Sequence, residues 1–224
     1  MMNETILKEI LRGEPQLTEE VIRAIADPGP SIGPQLLELI RNIRLWHTED
    51  AGRWAALHAI RLVSGLHLKN AVPCLIDAIF LAYSTRHEDA LEDLPTALAH
   101  TGEGAIRPLA SVLEDRCLEA TIRSVAASAL EGIAVLNPTS RESVLDILRK
   151  VVADSGDLSS VRGHVITIVS HFRIPEDRAL IKNAARSIPM MLDMDADEID
   201  EYFGQDEDPE EWAAYRADLL DYYR

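Results

Sequence analysis

The sequence predicts an all-α protein, a right-handed α-α superhelix of about five helical hairpins with an acidic C-terminal helical extension. Two observations carry this prediction. Aromatic residues make up 5% of the chain against 47% hydrophobic residues in total. This Leu-, Ala- and Ile-rich composition favours closely packed helices over sheets, which are enriched in aromatic and β-branched residues. Residues 88–115 also hold two amphipathic helical patterns in immediate succession.

These two patterns define the hairpin that the rest of the chain repeats. The first carries Leu94, Ala97 and Leu98 on one face and stops at Gly102, which suits the left-handed turn after a helix. The second has the spacing of a helical stripe, at Ala105, Ile106, Leu109, Val112 and Leu113. Helices joined by so short a turn lie antiparallel, and neither can bury its stripe alone. The sequence therefore predicts a stack of hairpins.

The N-terminal part of the chain already alternates between helices and breaks. We expect one helix over residues 5–11, a second from Thr18 to the prolines at 28 and 30, and a third from a Ser31 cap through Ile43. Proline recurs where helices begin, and these positions, 39 and 35 residues apart, are Pro34, Pro73 and Pro108. A proline in the first turn lacks only a donor that would be unpaired anyway.

Alternate helices carry a second periodicity, which is marked by arginine. Three segments can be aligned on Arg53, Arg123 and Arg162, which are 70 and 39 residues apart. The segments are 52–60, 122–130 and 161–169. Asp115 and Asp154 stand eight residues before the second and third of these arginines. The intervals indicate a repeat of about 35 to 40 residues, which is typical of helical-repeat proteins.

The pattern Val/Ile-Arg-x-x-Ala-Ala-x-Ala-Leu, with an aspartate upstream, resembles HEAT repeats, in the short form also found in phycobilisome lyases. The order of segments over residues 1–190 also resembles bacterial proteins of unknown function of the DUF1186 type. The resemblance implies that these arginines and aspartates tie adjacent hairpins together. The structural residues so assigned are Arg53, Asp115, Arg123, Asp154 and Arg162. The segment 88–102 departs from the pattern, because it lacks the arginine and carries Pro95 in its first helix.

Charge divides the chain into two predicted domains, a helical-repeat domain at 1–190 and an acidic extension at 191–224. Residues 193–211 contain 11 acidic residues in 19 positions and no Lys or Arg, so the net charge of −16 leaves −5 for the rest of the chain. Two interpretations stay open for this run. It forms a solvated face, or it contacts a basic partner or the protein's own groove.

Two helices are expected in the extension. A short acidic helix over residues 195–203 would contact the body through Ile199 and Phe203. The final helix begins with Asp208 as cap and Pro209 at its first position. Its apolar face consists of Trp212, Tyr215, Leu219 and Tyr222.

No motif for catalysis, a metal or a cofactor is found. The eleven glycines are scattered, so no phosphate-binding loop is predicted. Asp193, Asp195 and Asp197 imitate a calcium loop, but Glu198 and Gly204 occupy the positions that need glycine and glutamate. His164 and His171 can share a helix face but lack a third ligand. Cys74 and Cys117, the two cysteines, are both expected to be buried reduced thiols. We therefore predict no metal, no cofactor and no enzymatic activity.

The predicted function is a non-catalytic protein–protein interaction module or scaffold that binds a protein or peptide, with a basic partner as the natural complement of an acidic groove. The candidate partner-binding residues are Trp46, Trp54, Asp195, Asp197, Asp200, Glu201, Asp206, Glu207 and Trp212. Trp46 and Trp54 flank the loop at 47–53, where they are either binding anchors or plugs between hairpins.

Two alternatives are kept. A tetrapyrrole lyase-like or chaperone-like role follows from the resemblance to phycobilisome lyases. DNA binding of the kind some HEAT-like proteins perform is disfavoured by 22 basic against 38 acidic residues. Charges run through the first ten residues and the longest apolar run, 71–83, is too short to span a bilayer. We therefore expect no signal peptide, no membrane partner and a cytoplasmic location.

Overall fold

The computed structural model of the chain describes residues 2–26, 32–47, 51–188, 198–205, 209–217 and 223. These residues form helices and turns and no strand, so the all-α class is confirmed for the part of the chain described. The chain divides into two compact units. Unit 1 comprises Met1–Ala105 and Tyr215–Arg224, and unit 2 comprises Ile106–Ala214. The predicted domain boundary at 190 lies in 189–197, outside the described residues, and stays a prediction, as does the superhelix.

Unit 1 is a set of helices that contact both their neighbours in sequence and alternate helices. The helices are α1 (Met2–Leu11), α2 (Glu19–Ala26), α3 (Gly33–Arg41), α4 (Ile43–Trp46), α5 (Ala51–Gly65), α6 (Val72–Thr85) and α7 (Glu88–His100). Helix α6 packs against α7 as a hairpin, α5 packs against both α3 and α7, and α3 packs against α6. The short α4 contacts α5 and α6.

Unit 2 shows the same pattern of contacts. Its helices are α8 (Ile106–Glu114), α9 (Ala120–Leu136), α10 (Arg141–Ala153), α11 (Ser159–His171), α12 (Arg178–Ser187) and α13 (Glu198–Tyr202). Helix α9 packs against α8, α10 and α11, and α10 also contacts α8 and α12. The last described helix of the chain is α14 (Ala213–Arg216).

The helix boundaries follow the signals in the sequence. Pro34, Pro73 and Pro108 each lie in the first turn of a helix, at α3, α6 and α8. Gly102 follows α7 with a φ of 80°, a left-handed conformation that glycine adopts without a steric penalty. Helix α3 begins after Ile32, with no side-chain cap; the predicted cap Ser31 lies outside the described residues.

The core consists of the stripes that the periodicity predicts. Leu94, Ala97 and Leu98 of α7 and Leu109 and Leu113 of α8 are all at most 1% exposed. Helix α9 is buried on nearly every face, which is typical of a helix surrounded by others. Its many alanines allow the neighbouring helices to approach closely.

Polar ties join alternate helices within each unit at a nearly constant sequence spacing. In unit 1, the Ser64 hydroxyl of α5 lies 2.8 Å from Nδ1 of His100 on α7. In unit 2, the Ser128 hydroxyl of α9 lies 2.8 Å from Nε2 of His164 on α11. Both pairs are 36 residues apart. These contacts connect equivalent helices of successive hairpins.

A fully buried link between helices in unit 2 is the guanidinium of Arg123, which is 0% exposed. Its Nε donates to the carbonyl of Leu113 at 2.7 Å, at the end of α8. Its two terminal nitrogens donate to the two carboxylate oxygens of Asp157 at 2.7 and 2.5 Å, just before α11. These hydrogen bonds hold the pKa of Asp157 below its usual range.

Helix α13 of the acidic extension packs on α12 within unit 2. Ile199 of α13 is 1% exposed. Asp200 accepts hydrogen bonds from Nε of Arg178 at 2.8 Å and from Nζ of Lys182 at 2.6 Å, both on α12. These two bonds lower the pKa of Asp200 to about 2. The acidic helix predicted for 195–203 is described over Glu198–Tyr202, and its predicted start at 195–197 lies outside the described residues.

Three sequence-based expectations are wrong in detail. The third predicted helix does not continue through Ile43, because α3 ends at Arg41 and Ile43, which is 53% exposed, begins α4. Cys117 is exposed, because it lies in the turn between α8 and α9 rather than inside a helix, whereas Cys74 is buried as expected. The final helix starts at Pro209 as predicted, but its first turn, Pro209–Trp212, is a 3₁₀ helix. The α-helix that follows is described at Ala213–Arg216, and residue 217 is not helical. Its predicted cap Asp208 and its face residues Leu219 and Tyr222 lie outside the described residues. None of the described helices combines the length and apolar character that a membrane crossing requires.

The Arg123–Asp157 pair gives a direct test of the buried tie. Arg123→Ala leaves the Asp157 carboxylate buried without its partner and is expected to lower the free energy of unfolding by about 3–5 kcal/mol. Urea unfolding followed by circular dichroism measures this change.

Arg116→Ala is the matched control, because Arg116 pairs with Asp154 in the same unit but the two side chains are 55% and 39% exposed. This control is expected to lose less than about 1 kcal/mol. Equal losses in the two variants would contradict the assignment of Arg123 as the central tie.

Candidate binding cleft

Unit 1 contains a cleft of about 610 Å³ between the end of α4, the start of α5 and the turn from α6 to α7. We call it the Trp46 cleft. Its lining residues are Trp46, His47, Arg53, Ser84, Thr85, Arg86 and His87. The lining is mostly polar, with two arginines, two histidines and two hydroxyl groups.

The turn from α6 to α7 is held by its own backbone. Arg86 has a φ of 55°, and its N–H donates to the carbonyl of Tyr83 at 3.2 Å. The N–H of His87 donates to the carbonyl of Ala82 at 2.9 Å. Together these bonds form the Schellman motif that closes many helices, with Arg86 at the position where glycine is the usual residue.

His87 begins α7 as its N-cap. Its Nδ1 accepts the N–H of Ala90 at 3.3 Å, and its Nε2 lies 3.1 Å from the carbonyl of Arg53. A neutral imidazole with its hydrogen on Nε2 satisfies both contacts. Burial lowers the pKa of His87, which keeps this neutral form at pH 7.

Trp46 forms an apolar wall of the cleft. It is 3% exposed, and its Nε1 donates to the carbonyl of Ile40 at 2.7 Å. Its ring meets the His87 ring edge-on, with 5.7 Å between centroids. The tryptophan is thus fixed by α3 on one side and by the N-cap of α7 on the other.

Arg53 supplies one of the two guanidinium groups. Its Nη2 donates to Oδ2 of Asp89 at 2.5 Å, and both side chains are 42% exposed. Its Nε is buried and has no hydrogen-bond partner among the described residues. The guanidinium is therefore only partly satisfied by unit 1 itself.

The other predicted binding residues are placed elsewhere. Trp54 is half-buried on α5 and stacks on His58, with 6.4 Å between ring centroids. In unit 2, Glu201 is exposed on α13, next to Asp200. Trp212 is 2% exposed, and its ring lies 5.5 Å from that of Phe172. Asp195, Asp197, Asp206 and Glu207 lie outside the described residues, so their role stays a prediction.

The predicted structural residues of unit 2 make local contacts as well as ties. Oδ1 of Asp115 accepts the N–H of Cys117 at 2.9 Å in the α8–α9 turn. Asp154 pairs with Arg116, and its Oδ1 accepts the N–H of Gly156 at 3.0 Å. Arg162 donates to the carbonyl of Val152 at 3.0 Å and to the Ser187 hydroxyl at 3.2 Å.

Several cleft residues did not emerge from the sequence pattern. Ser84, Thr85, Arg86 and His87 form a continuous polar run between the apolar stripes of α6 and α7. That run, where a helix must end and no glycine is available, is the signal that could have identified them. Arg53 was assigned a structural role and lies in the cleft.

Reactive groups are not gathered into a metal-binding or thiol site in the part of the chain that can be described. No group of three His, Cys, Asp or Glu side chains there could hold a metal ion. Burial raises the pKa of Cys74 to about 11, which leaves its thiol protonated and a poor nucleophile at pH 7.

Comparison of the chain with protein-family models, with curated protein sequences and with solved structures finds no match in any of the three. The resemblance to HEAT repeats and to the DUF1186 type therefore stays a prediction that rests on the residues quoted for it.

Buried histidines make stability depend on pH. Burial lowers the pKa of His58, His87, His100 and His164. Between each lowered value and about 6.5, the unfolded chain binds more protons than the folded chain. Stability is therefore complete above about pH 6.5 and falls as the pH drops below it, by at most about 1.4 kcal/mol per pH unit for each histidine.

His87→Asn removes one of these titrating groups and keeps the N-cap, since an asparagine oxygen can still accept the N–H of Ala90. Urea unfolding from pH 7.5 to 5.5 is expected to show a shallower pH dependence in the variant than in the parent chain. The lowered pKa values of Asp157 and Asp200 change the free energy of unfolding mainly below about pH 3.8, which is outside the measured range. The raised pKa of Asp93 is common to both proteins. Identical pH dependence in both would contradict the neutral cap.

Proposed function

We propose that this protein is a non-catalytic interaction module that binds a protein or peptide partner, and that the Trp46 cleft of unit 1 is its binding site. The observation that carries the proposal is a cleft of about 610 Å³ that combines a fixed tryptophan with polar groups. Clefts of this size with an aromatic wall and a few polar groups are typical of binding sites. A cytoplasmic location and a HEAT-like solenoid belong to the same proposal.

The rigidity of the cleft supports a binding role. Trp46 is held by a hydrogen bond to Ile40 and His87 by its contacts to Ala90 and Arg53, and the Schellman turn fixes the backbone of Arg86. A site whose side chains are fixed before binding loses little conformational entropy when a ligand enters. Tryptophan and arginine are also the residues that most often dominate binding energy.

The alternatives draw less support from the described contacts. A lyase that handles tetrapyrroles needs a reactive cluster in its groove, such as Cys or His with acids. The described lining of the Trp46 cleft has two histidines but neither a cysteine nor a carboxylate. DNA binding needs several phosphate contacts, and the net charge of −16 opposes them. A basic partner, as predicted from the acidic run at 193–211, would use that run rather than the cleft.

Site-specific photo-cross-linking tests the proposal. Benzoylphenylalanine at Ser84, an exposed lining residue, is expected to form discrete adducts with a polypeptide in a lysate of the source cells. Excess unmodified protein should compete for these adducts. The adducts are identified by mass spectrometry.

The matched control carries the same group at Ser111, which is also exposed and helical but lies on α8 in unit 2. This position is expected to give none of the Ser84 adducts. Equal adducts from both positions, or none from Ser84, would rule out the cleft as the binding site.

A further inference from the structure

The polar groups of the Trp46 cleft have an unusual balance of charge for this chain. The protein as a whole has 38 acidic and 22 basic residues. Among the described residues that line the cleft there are two arginines and no carboxylate. Asp89 is the acidic residue that pairs with one of them, Arg53. The guanidinium of Arg86 therefore leaves the described part of the site with a positive charge.

The turn fixes the backbone of Arg86, and its guanidinium has no counter-ion among the described residues. Three non-glycine residues of the described chain have a positive φ, namely His67, Arg86 and Arg173. The ring of His67 lies 4.9 Å from that of His100, and the guanidinium of Arg173 lies 4.5 Å from the ring of Tyr202. The guanidinium of Arg86 has no ion-pair or hydrogen-bond partner within the described ranges.

A cation near a helix C-terminus is favoured by the helix dipole, which accounts for a basic residue after α6. It does not account for the left-handed conformation, in which a side chain costs about 1 kcal/mol relative to glycine. Arg53 adds a second guanidinium, because its side chain is 42% exposed and its bond to Asp89 uses Nη2 alone. A carboxylate that enters the cleft would supply an acceptor to both guanidinium groups.

Apolar side chains on the same helices favour a peptide over a bare anion. Phe80 and Tyr83 on α6 are each 36% exposed, one turn apart and immediately before the polar run that lines the cleft. Ile43 on α4 is 53% exposed, one turn before Trp46. Large hydrophobic groups that stay exposed beside a polar cleft are typical of a protein-binding surface.

We propose that the Trp46 cleft binds a segment of a partner protein that carries a carboxylate next to apolar side chains, with Arg86 and Arg53 as the groups that bind the carboxylate. This inference rests on the proposed function and names the chemistry of its partner. A nucleic acid fits less well, because a polyanion meets the repulsion of the whole acidic chain, whereas one carboxylate makes a short-range contact.

Selection from a random-peptide library displayed on phage tests the inference. The parent protein is expected to enrich peptides with Asp or Glu beside aromatic or aliphatic residues. For a selected peptide, fluorescence anisotropy should show binding at least about tenfold weaker after Glu→Gln, since a hydrogen bond to a charged group is lost. Glu→Lys in the same peptide should abolish binding.

Arg86→Gly separates binding from folding. Glycine fits a φ of 55° without strain, so the melting temperature should stay the same or rise while binding of the selected peptide falls at least about tenfold. His67→Gly is the matched control in unit 1, because it relieves the same backbone conformation, at a φ of 49°, outside the cleft. It should bind like the parent. Arg86→Glu should bind the Lys form of the peptide better than the Glu form.

The results that overturn the inference are distinct from those that overturn the proposed function. The carboxylate partner would be refuted if the selected peptides were not enriched in Asp or Glu, or were rich in Lys or Arg. It would also be refuted if the parent and Arg86→Gly selected the same peptides. Tighter binding of a single-stranded oligonucleotide than of any selected peptide would refute it as well. Cross-linking from Ser84 to a polypeptide would then still support the cleft as a protein-binding site.

Discussion

The buried guanidinium of Arg123 imposes the constraint on which unit 2 depends. A charge at 0% exposure is tolerated only when its hydrogen bonds are satisfied by well-placed partners. Those partners are the Leu113 carbonyl and both carboxylate oxygens of Asp157. They belong to the end of α8 and to the turn before α11, while Arg123 itself lies near the start of α9. One side chain therefore sets the relative position of three segments, and the apolar stripes of the helices close around it.

The aligned arginine of unit 1 also joins two helices, from α5 to Asp89 on α7, but its surroundings differ. Between α8 and α9 the connection is a tight turn at 115–119, whereas between α3 and α5 it spans 42–50 and includes α4. Helix α4 packs against α5, and the Trp46 cleft lies beside this contact. Arg53 therefore stays 42% exposed and meets Asp89 through a single nitrogen. The same residue type at an aligned position is a buried tie in one unit and a cleft residue in the other.

The sequence predicts what local chemistry decides and misses what depends on neighbours. Stripes such as Leu94 and Leu98, and the turn at Gly102, follow from helical period and from the freedom of glycine, so they are correct. The burial predicted for Cys117 is wrong because apolar residues near it favour a helix, whereas the Asp115 carboxylate accepts the N–H of Cys117 and closes a turn there. Arg86 is not predicted, because the polar run at 84–87 does not show which of its residues adopts the left-handed conformation. The cleft depends on contacts between helices that are distant along the chain, which periodicity does not encode.

In the proposed binding site, the acidity of the chain would favour a particular kind of ligand. Carboxylates are abundant, so cations find partners easily; Asp200 alone accepts hydrogen bonds from both Arg178 and Lys182. Arg86 follows a backbone turn, and its guanidinium has no such partner among the carboxylates of the described residues. The surplus negative charge also repels polyanions over about 10 Å, the range that salt allows. The ligand that gains most is therefore one whose single carboxylate is brought in by apolar contacts, since apolar burial does not depend on the net charge.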